Sequence, residues 1–157
     1  MAYSQLLHRL QDRQAVIGIL GLGYVGLPLA LRYTEVGYRV IGLDIDASKI
    51  EMLRRGEMPI FEPGLGELVN RNLKAKRLTF TTSYAEAVPE ADFCFIAVNT
   101  PSGSEGEADL AQVRAAAAAL APHLKDGALV INKSTVPIGT ADRVDHIIST
   151  HLPADKQ

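Results

Sequence analysis

Residues 15–26 read AVIGILGLGYVG. The run before the first glycine is apolar and rich in isoleucine, which predicts a buried strand. Gly21, Gly23 and Gly26 then form the pattern G-x-G-x-x-G, and an amphipathic stretch from Tyr24 to Val36 predicts a helix directly after it. A strand, a glycine turn and a helix in this order are typical of a turn that binds the pyrophosphate of a dinucleotide.

Each glycine of this turn has its own physical reason. The first permits the tight turn, the second lets a pyrophosphate approach the backbone, and the third lets the helix lie close to the strand. Amide donors and the dipole at the helix start attract the anion. We therefore predict that the coenzyme is bound by Gly21, Leu22, Gly23, Tyr24, Val25 and Gly26. The alternative is that the glycines only shape a turn.

Asp44 ends the next predicted strand, 18 residues after Gly26. A carboxylate at this position accepts hydrogen bonds from both hydroxyls of the adenosine ribose and repels a 2′-phosphate. Because no arginine directly follows Asp44, the sequence favours NAD over NADP, with Lys49 as a secondary contact. The alternative is that Asp44 or Asp46 merely caps a helix.

Short β-branched runs alternate with amphipathic stretches along the chain, which indicates repeated βαβ units. Strands are predicted at residues 15–20, 39–44, 78–81, 92–98 and 128–133, and helices at 24–36, 47–55, 84–88, 110–120, after Gly64 and from about Gly139. The run at 92–98 is apolar throughout its centre, so we expect it to be the central strand. The prediction is an α/β fold, a doubly wound, mostly parallel sheet of the Rossmann type. It forms a single domain over 1–157, with 1–13 as an N-terminal extension.

Two of these helices contain unusual residues. Pro28 should remove one backbone donor and loosen the first turns of its helix. The five successive alanines Ala115–Ala119 favour a helix that packs closely on a sheet, and we assign them no role in binding.

The composition limits the possible function classes. A net charge of −2 and the lack of a basic stripe argue against nucleic acid, and each apolar run is too short to span a membrane. The single cysteine, Cys94, permits no internal disulfide and suits a cytoplasmic protein. The four histidines are dispersed, so we predict no metal site.

Four motifs in order carry a more specific resemblance. They read GLGYVGLPLA at 21–30, EPGL at 62–65, FIAVNTP at 95–101 and KSTVPIG at 133–139. The sequence resembles the N-terminal, NAD-binding domain of the nucleotide-sugar dehydrogenases, a family typified by UDP-glucose 6-dehydrogenase, from about Val16 to Arg143. The EPGL motif favours UDP-glucose over N-acetylated sugars as the substrate of the family member.

The resemblance implies further coenzyme contacts. Those after the fourth predicted strand are Val98, Asn99, Thr100 and Pro101, and those at the nicotinamide end are Ser134 and Thr135. Thr135 also matches a family threonine that positions a catalytic water, although a threonine after a strand is often a turn cap. Lys133 does not match the catalytic lysine of the family and is equally consistent with a solvated strand end.

The family oxidises the C6 alcohol of the sugar twice, to a carboxylate, with two NAD and a covalent cysteine adduct. Cys94 lies within an apolar strand and is unsuited to be that nucleophile. We expect the nucleophile, the UDP-sugar domain and most of a homo-oligomer interface to follow Gln157, so that this chain binds NAD without turnover. The alternatives are a stand-alone nucleotide sensor and the coenzyme domain of a hydroxyacid dehydrogenase.

Overall fold

The computed structural model describes residues 3–103 and 106–156, which form a five-stranded sheet covered by helices on both faces. The strands are β1 (Val16–Leu20), β2 (Arg39–Leu43), β3 (Leu78–Thr81), β4 (Phe93–Ile96) and β5 (Leu129–Asn132). Their order is β3-β2-β1-β4-β5, and the four pairings are all parallel. The predicted doubly wound α/β fold is confirmed.

Seven α-helices are found in the described residues. They are α1 (Tyr3–Gln11), α2 (Gly26–Val36), α3 (Ala47–Arg54), α4 (Leu65–Lys74), α5 (Tyr84–Ala87), α6 (Ala111–Leu120) and α7 (Thr140–His151). Short 3₁₀ turns follow at Ala121–His123 and Ala154–Lys156. Side chains alternate along each strand, so the sheet has two apolar faces. Helices α1 to α4 contribute to the core on one face, and α5 to α7 lie over the other.

The prediction of a central position for the 92–98 strand is wrong. The middle strand is β1, and β4 lies between β1 and β5. Both β1 and β4 are buried at every residue. An apolar run therefore identifies an interior strand but not its order, because the crossover after β3 determines on which side of β1 the chain returns.

The residues predicted as an extension include the helix α1, which packs on the sheet. Leu6 is buried, and Arg9 Nη2 lies 2.8 Å from Asp92 Oδ2. Asp92 precedes β4 and is fully buried. It also accepts a 2.8 Å hydrogen bond from the Val16 amide and pairs with Lys125 Nζ at 2.7 Å. A buried carboxylate with these partners fastens α1 and the loop before β5 to the amino end of the sheet.

Helix α2 begins at Gly26 rather than at the predicted Tyr24. The Leu27 amide donates to Gly23 O at 3.1 Å and the Leu29 amide to Val25 O at 3.2 Å. Pro28, between them, has no amide hydrogen to donate. The expected loss of one donor thus falls in the first turn, where regular helix is only beginning.

Candidate functional site

The parallel register brings several strand ends to one edge of the sheet. Leu20 pairs with Leu43 and with Ile96, and Ile96 pairs with Asn132. The residues that follow these strands therefore lie next to one another, as they do at ligand sites of open parallel sheets. Two cavities open along this edge, of about 230 and 150 Å³.

The glycine turn lies at the junction of these cavities. Gly21 has φ +96°, and a Cβ there would lie 2.6 Å from Ala97 O. A Cβ at Gly26 would lie 1.7 Å from Gly21 O. At Gly23, in contrast, the described neighbour within 4 Å is Asn99 Oδ1 at 3.7 Å. The first and third glycines are thus required by the fold, whereas Gly23 borders open space in both cavities.

Asp44 joins the end of β2 to the glycine turn. Its side chain is buried, and Oδ2 accepts hydrogen bonds of 2.8 Å from the Leu22 amide and from Lys49 Nζ. Oδ1 accepts from the Asp46 amide at 3.0 Å. The carboxylate therefore borders the larger cavity, and its hydrogen bond to the Leu22 amide of the glycine turn fixes its position.

Helix α3 is capped by Asp46 and not by Asp44. Asp46 Oδ1 accepts from the Ser48 amide at 3.0 Å and from the Lys49 amide at 3.1 Å. The hydrogen bond from the Ser48 hydroxyl is the main cause that lowers the pKa of Asp46 from its usual value. Since Asp46 does the capping, the carboxylate of Asp44 remains directed to the cleft.

The smaller cavity lies between the glycine turn and the loops after β4 and β5. Its walls are formed by Gly23, Tyr24, Val25, Ala97, Val98, Asn99, Thr100, Lys133, Ser134 and Thr135. Ser134 Oγ donates to Val98 O at 2.8 Å, and Thr100 Oγ1 donates to Thr135 O at 2.9 Å. These bonds tie the two loops together.

The predicted residues converge on this cleft with two differences. Pro101 is exposed and lines neither cavity, and Gly26 lies beneath the turn rather than in the cleft. Lys133 is exposed, as a strand-end lysine would be, but it also lines the smaller cavity.

Several residues of the larger cavity are missed by the sequence analysis. They are Leu43, Ile45, Tyr84, Ala97 and one face of α6, consisting of Gln112, Ala115, Ala116 and Ala119. Burial is the main cause that raises the pKa of Tyr84, and the negative charge of Asp44 raises it further. The helical spacing on α6 was visible in the sequence, but an alanine face that lines a cleft has the same pattern as one that packs on a sheet.

Other candidate groups do not form a site. Cys94 is fully buried, and burial raises the pKa of its thiol to about 12, so the reactive thiolate is absent at neutral pH. A third cavity, of about 430 Å³, lies between β5 and α7, away from the predicted residues. Within residues 3–103 and 106–156, acidic, cysteine and histidine side chains form no group of three suited to a metal, and no helix is long and apolar enough to cross a bilayer.

A family model and the most similar curated proteins indicate the same family for this chain. The family model described as "UDP-glucose/GDP-mannose dehydrogenase family, NAD binding domain" matches residues 15–156. UDP-glucose 6-dehydrogenase YwqF of Bacillus subtilis is 47% identical over 136 residues, which cover 87% of this chain and 31% of that protein. UDP-glucose 6-dehydrogenase of Pseudomonas aeruginosa is 49% identical over 134 residues, which cover 85% of this chain and 30% of that protein. The chain thus spans about a third of the length of these relatives.

Solved structures agree with this family. A UDP-glucose dehydrogenase from Pyrobaculum islandicum matches with a TM-score of 0.83 and 42% identity, over 87% of this chain and 33% of that one. A GDP-mannose dehydrogenase from Pseudomonas aeruginosa matches with a TM-score of 0.81 and 34% identity, over 86% of this chain and 32% of that one. The chain therefore belongs to the UDP-glucose/GDP-mannose dehydrogenase family and is its NAD-binding domain.

Proposed function

We propose that the cleft at the glycine turn holds NAD for the oxidation of a nucleotide sugar. The observation that carries this proposal is the open space at Gly23, where a Cβ would meet only the Asn99 amide oxygen, at 3.7 Å, among the described neighbours. A glycine that the fold itself does not require, between an acidic strand end and the start of a helix, leaves room for a ligand to reach the backbone.

The pyrophosphate would lie against this turn. The Leu22 amide is already bonded to Asp44, but among residues 3–103 and 106–156 the amides of Gly23 and Tyr24 have no hydrogen-bond acceptor. Free amides at the start of α2, together with its dipole, favour an anion. The backbone of the turn would therefore bind the phosphates.

The adenosine ribose would bind to Asp44. Its carboxylate accepts three hydrogen bonds, one of them from Lys49. The Lys49 side chain is 25% exposed, and we propose that its ammonium moves toward solvent and leaves an acceptor on Asp44 for a ribose hydroxyl. A 2′-phosphate in the same place would meet the charge of Asp44, which supports NAD over NADP.

The nicotinamide would extend into the smaller cavity. We propose that Val98, Asn99 and Thr100 line its path and that Ser134 and Thr135 border the ring. When bound, NAD supplies the hydride acceptor for the alcohol. Thr135 is exposed and held through its carbonyl by Thr100, which supports the proposed role of its hydroxyl in positioning a water.

We further propose UDP-glucose as the substrate of the whole enzyme. The two relatives above, at 47% and 49% identity, are UDP-glucose 6-dehydrogenases, whereas a UDP-N-acetyl-D-mannosamine dehydrogenase of Salmonella typhimurium is 41% identical. The parent enzyme would oxidise C6 twice, as a cytoplasmic homo-oligomer, with a cysteine other than Cys94. The family match supports this function over a nucleotide sensor or a hydroxyacid dehydrogenase.

Calorimetric titration of the 157-residue chain tests the proposal. We expect NAD to bind at one site, NADP to bind more weakly, and no NADH to form when UDP-glucose is added with NAD. A folded chain that does not bind NAD, or that binds NADP more tightly, would contradict the proposed function.

A further inference from the structure

The sheet has two edge strands, β3 and β5, and the edge at β3 is protected. The Asp44 amide donates to Thr81 O, and alternate residues of a parallel strand bond to the same neighbour, so the carbonyl of Phe80 points away from β2. Arg54 Nε donates to this carbonyl at 3.0 Å. A charged side chain on an edge strand hinders its pairing with a strand of another chain.

The other edge strand, β5, is open. The amides of Leu129 and Lys133 donate to carbonyls of β4 or of the residue before it, at 2.9 and 2.8 Å. By the same alternation, the amides and carbonyls of Val130 and Asn132 point away from β4. Among residues 3–103 and 106–156 these two amides have no acceptor, and the buried Asn132 Nδ2 has none either. The edge at β5 therefore presents unpaired backbone groups.

The side chains of β5 do not protect this edge. The strand reads LVIN, without a charge or a proline, and Leu129 is 47% exposed. Beside it lies the third cavity, whose walls include the apolar side chains of Val130, Val144 and Ile148. An apolar edge strand beside a partly apolar groove is suited to accept another strand. This surface shares no residue with the two cavities of the coenzyme cleft.

The charges at the two ends of β5 indicate which strand fits. Asp126 is exposed in the turn before β5, and Lys133 is exposed directly after the strand. Lys125 is paired with Asp92 at 2.7 Å, so the exposed charge at the first end is acidic. A second β5 that runs antiparallel brings each acidic end to a basic end, whereas a parallel copy would place like charges together. The edge is thus complementary to itself.

We propose that a second copy of this chain covers the edge, with the two β5 strands paired antiparallel about a twofold axis. Val130 of each copy then lies opposite Asn132 of the other, and the two residues exchange both of their backbone hydrogen bonds. In this register Ile131 lies at the axis, and Leu129 of one copy lies opposite Lys133 of the other. The sheet continues through both copies. This inference goes beyond the coenzyme site and does not depend on it.

Sedimentation equilibrium of the 157-residue chain tests this proposal. A small interface gives a weak dimer, so we expect the mass to rise from 16.9 kDa toward twice that value between about 10 μM and about 1 mM protein. Leu129→Lys places a lysine opposite Lys133 of the second copy, and Asp126→Lys replaces the acidic end by a basic one. Each should raise the Kd of the dimer by about tenfold or more.

Phe61→Lys is the control for added charge. Phe61 is 95% exposed in the loop before α4, and it lines none of the three cavities. Because α4 contacts β3, this loop belongs to the other side of the sheet. Phe61→Lys should therefore keep the wild-type Kd of the dimer.

Amide hydrogen exchange, followed by NMR, tests the pairing itself. In the wild type, exchange at Val130 and Asn132 should become slower as the protein concentration rises, because their amides gain acceptors in the dimer. The same concentration series in Leu129→Lys should show a smaller change. Exchange at both amides that is independent of concentration while the chain dimerises would show that the interface lies elsewhere, and this overturns the proposal.

Two further results would also overturn the proposal. A wild-type chain that stays a monomer up to about 1 mM leaves the edge to a strand of another polypeptide. A dimer with the same Kd in Leu129→Lys and in Phe61→Lys does not form through β5. The unfolding temperature shows whether each variant is folded, and if Leu129→Lys does not fold, Asp126→Lys, at an exposed turn position, decides the outcome.

Discussion

A single methyl group added at position 23 tests whether the glycine turn binds the coenzyme or is an ordinary turn. Within the described residues, a Cβ at Gly23 would meet Asn99 Oδ1 at 3.7 Å, which is ordinary van der Waals contact. Gly23 is not among the glycines with positive φ, so alanine fits its backbone conformation. Because alanine also restricts the unfolded chain, we expect Gly23→Ala to leave the free energy of unfolding unchanged or to raise it by up to about 1 kcal/mol.

The bound coenzyme would respond in the opposite way. The new methyl group would occupy the space through which we propose that the pyrophosphate approaches the backbone, and overpacking of a close contact costs about 1 to 3 kcal/mol. This loss corresponds to a roughly 5- to 150-fold rise in the Kd for NAD. Stability and binding should therefore change in different directions, which a general loss of structure cannot produce.

Calorimetric titration with NAD and urea unfolding of the same samples measure the two effects. Gly66→Ala is the matched control, since Gly66 lies in α4 outside both cavities and a Cβ there would contact Met58 Cγ at an acceptable 3.5 Å. Gly23→Ala with the wild-type Kd would refute the reasoning. An equal loss of NAD affinity in Gly66→Ala would refute it as well.

Three further predictions concern other groups. Asp44→Asn should raise the Kd for NAD by about tenfold, because the site loses a charged hydrogen-bond acceptor. The preference for NAD over NADP should also become smaller, because Lys49 loses its ion-pair partner and can attract a 2′-phosphate. An unchanged ratio of the two Kd values contradicts this prediction. Burial raises the pKa of Asp92, but its hydrogen bonds, that of Lys125 foremost, outweigh burial and hold this pKa below its usual value. Because this pKa is lowered in the folded state, the ionised Asp92 stabilises the fold above about pH 4, and the effect is lost as the pH falls through the folded pKa. The free energy of unfolding, measured by urea titration, should therefore drop in this acid range. In Asp92→Asn the drop should be smaller. Cys94 should resist a thiol reagent in the native chain and react at once in denaturant, and rapid native labelling would show that β4 is accessible.

The sequence predicted the glycine turn and its acidic partner because their constraints are local. Gly21 needs a positive φ, Gly26 has no room for a Cβ, and Asp44 directly follows β2 at a fixed distance along the chain. Constraints of this kind act between near neighbours. For the same reason most helix and strand bounds were predicted within two residues, from hydrophobic periodicity and cap residues.

The order of the strands and the docking of α1 depend on long-range contacts. An apolar strand is compatible with any interior position, so β4 could not be told from β1 before the crossover was known. The ion pair of Arg9 with Asp92 joins residues 83 positions apart, and neither residue alone indicates the other. The charges scattered among the first residues gave no clear helical pattern, so the sequence did not indicate that α1 packs on the sheet.

The sequence by itself determined that the chain has a G-x-G-x-x-G turn at Gly21–Gly26 and an acidic residue, Asp44, directly after a strand, because backbone conformation and chain spacing fix both. Only the tertiary structure decided that Tyr84 and the alanine face of α6 border the same cleft. An alanine stripe has the same helical pattern whether it meets a sheet, solvent or a ligand. Which of these it meets depends on where the parallel sheet places α6 relative to β1 and β2, and this placement is a property of the whole fold.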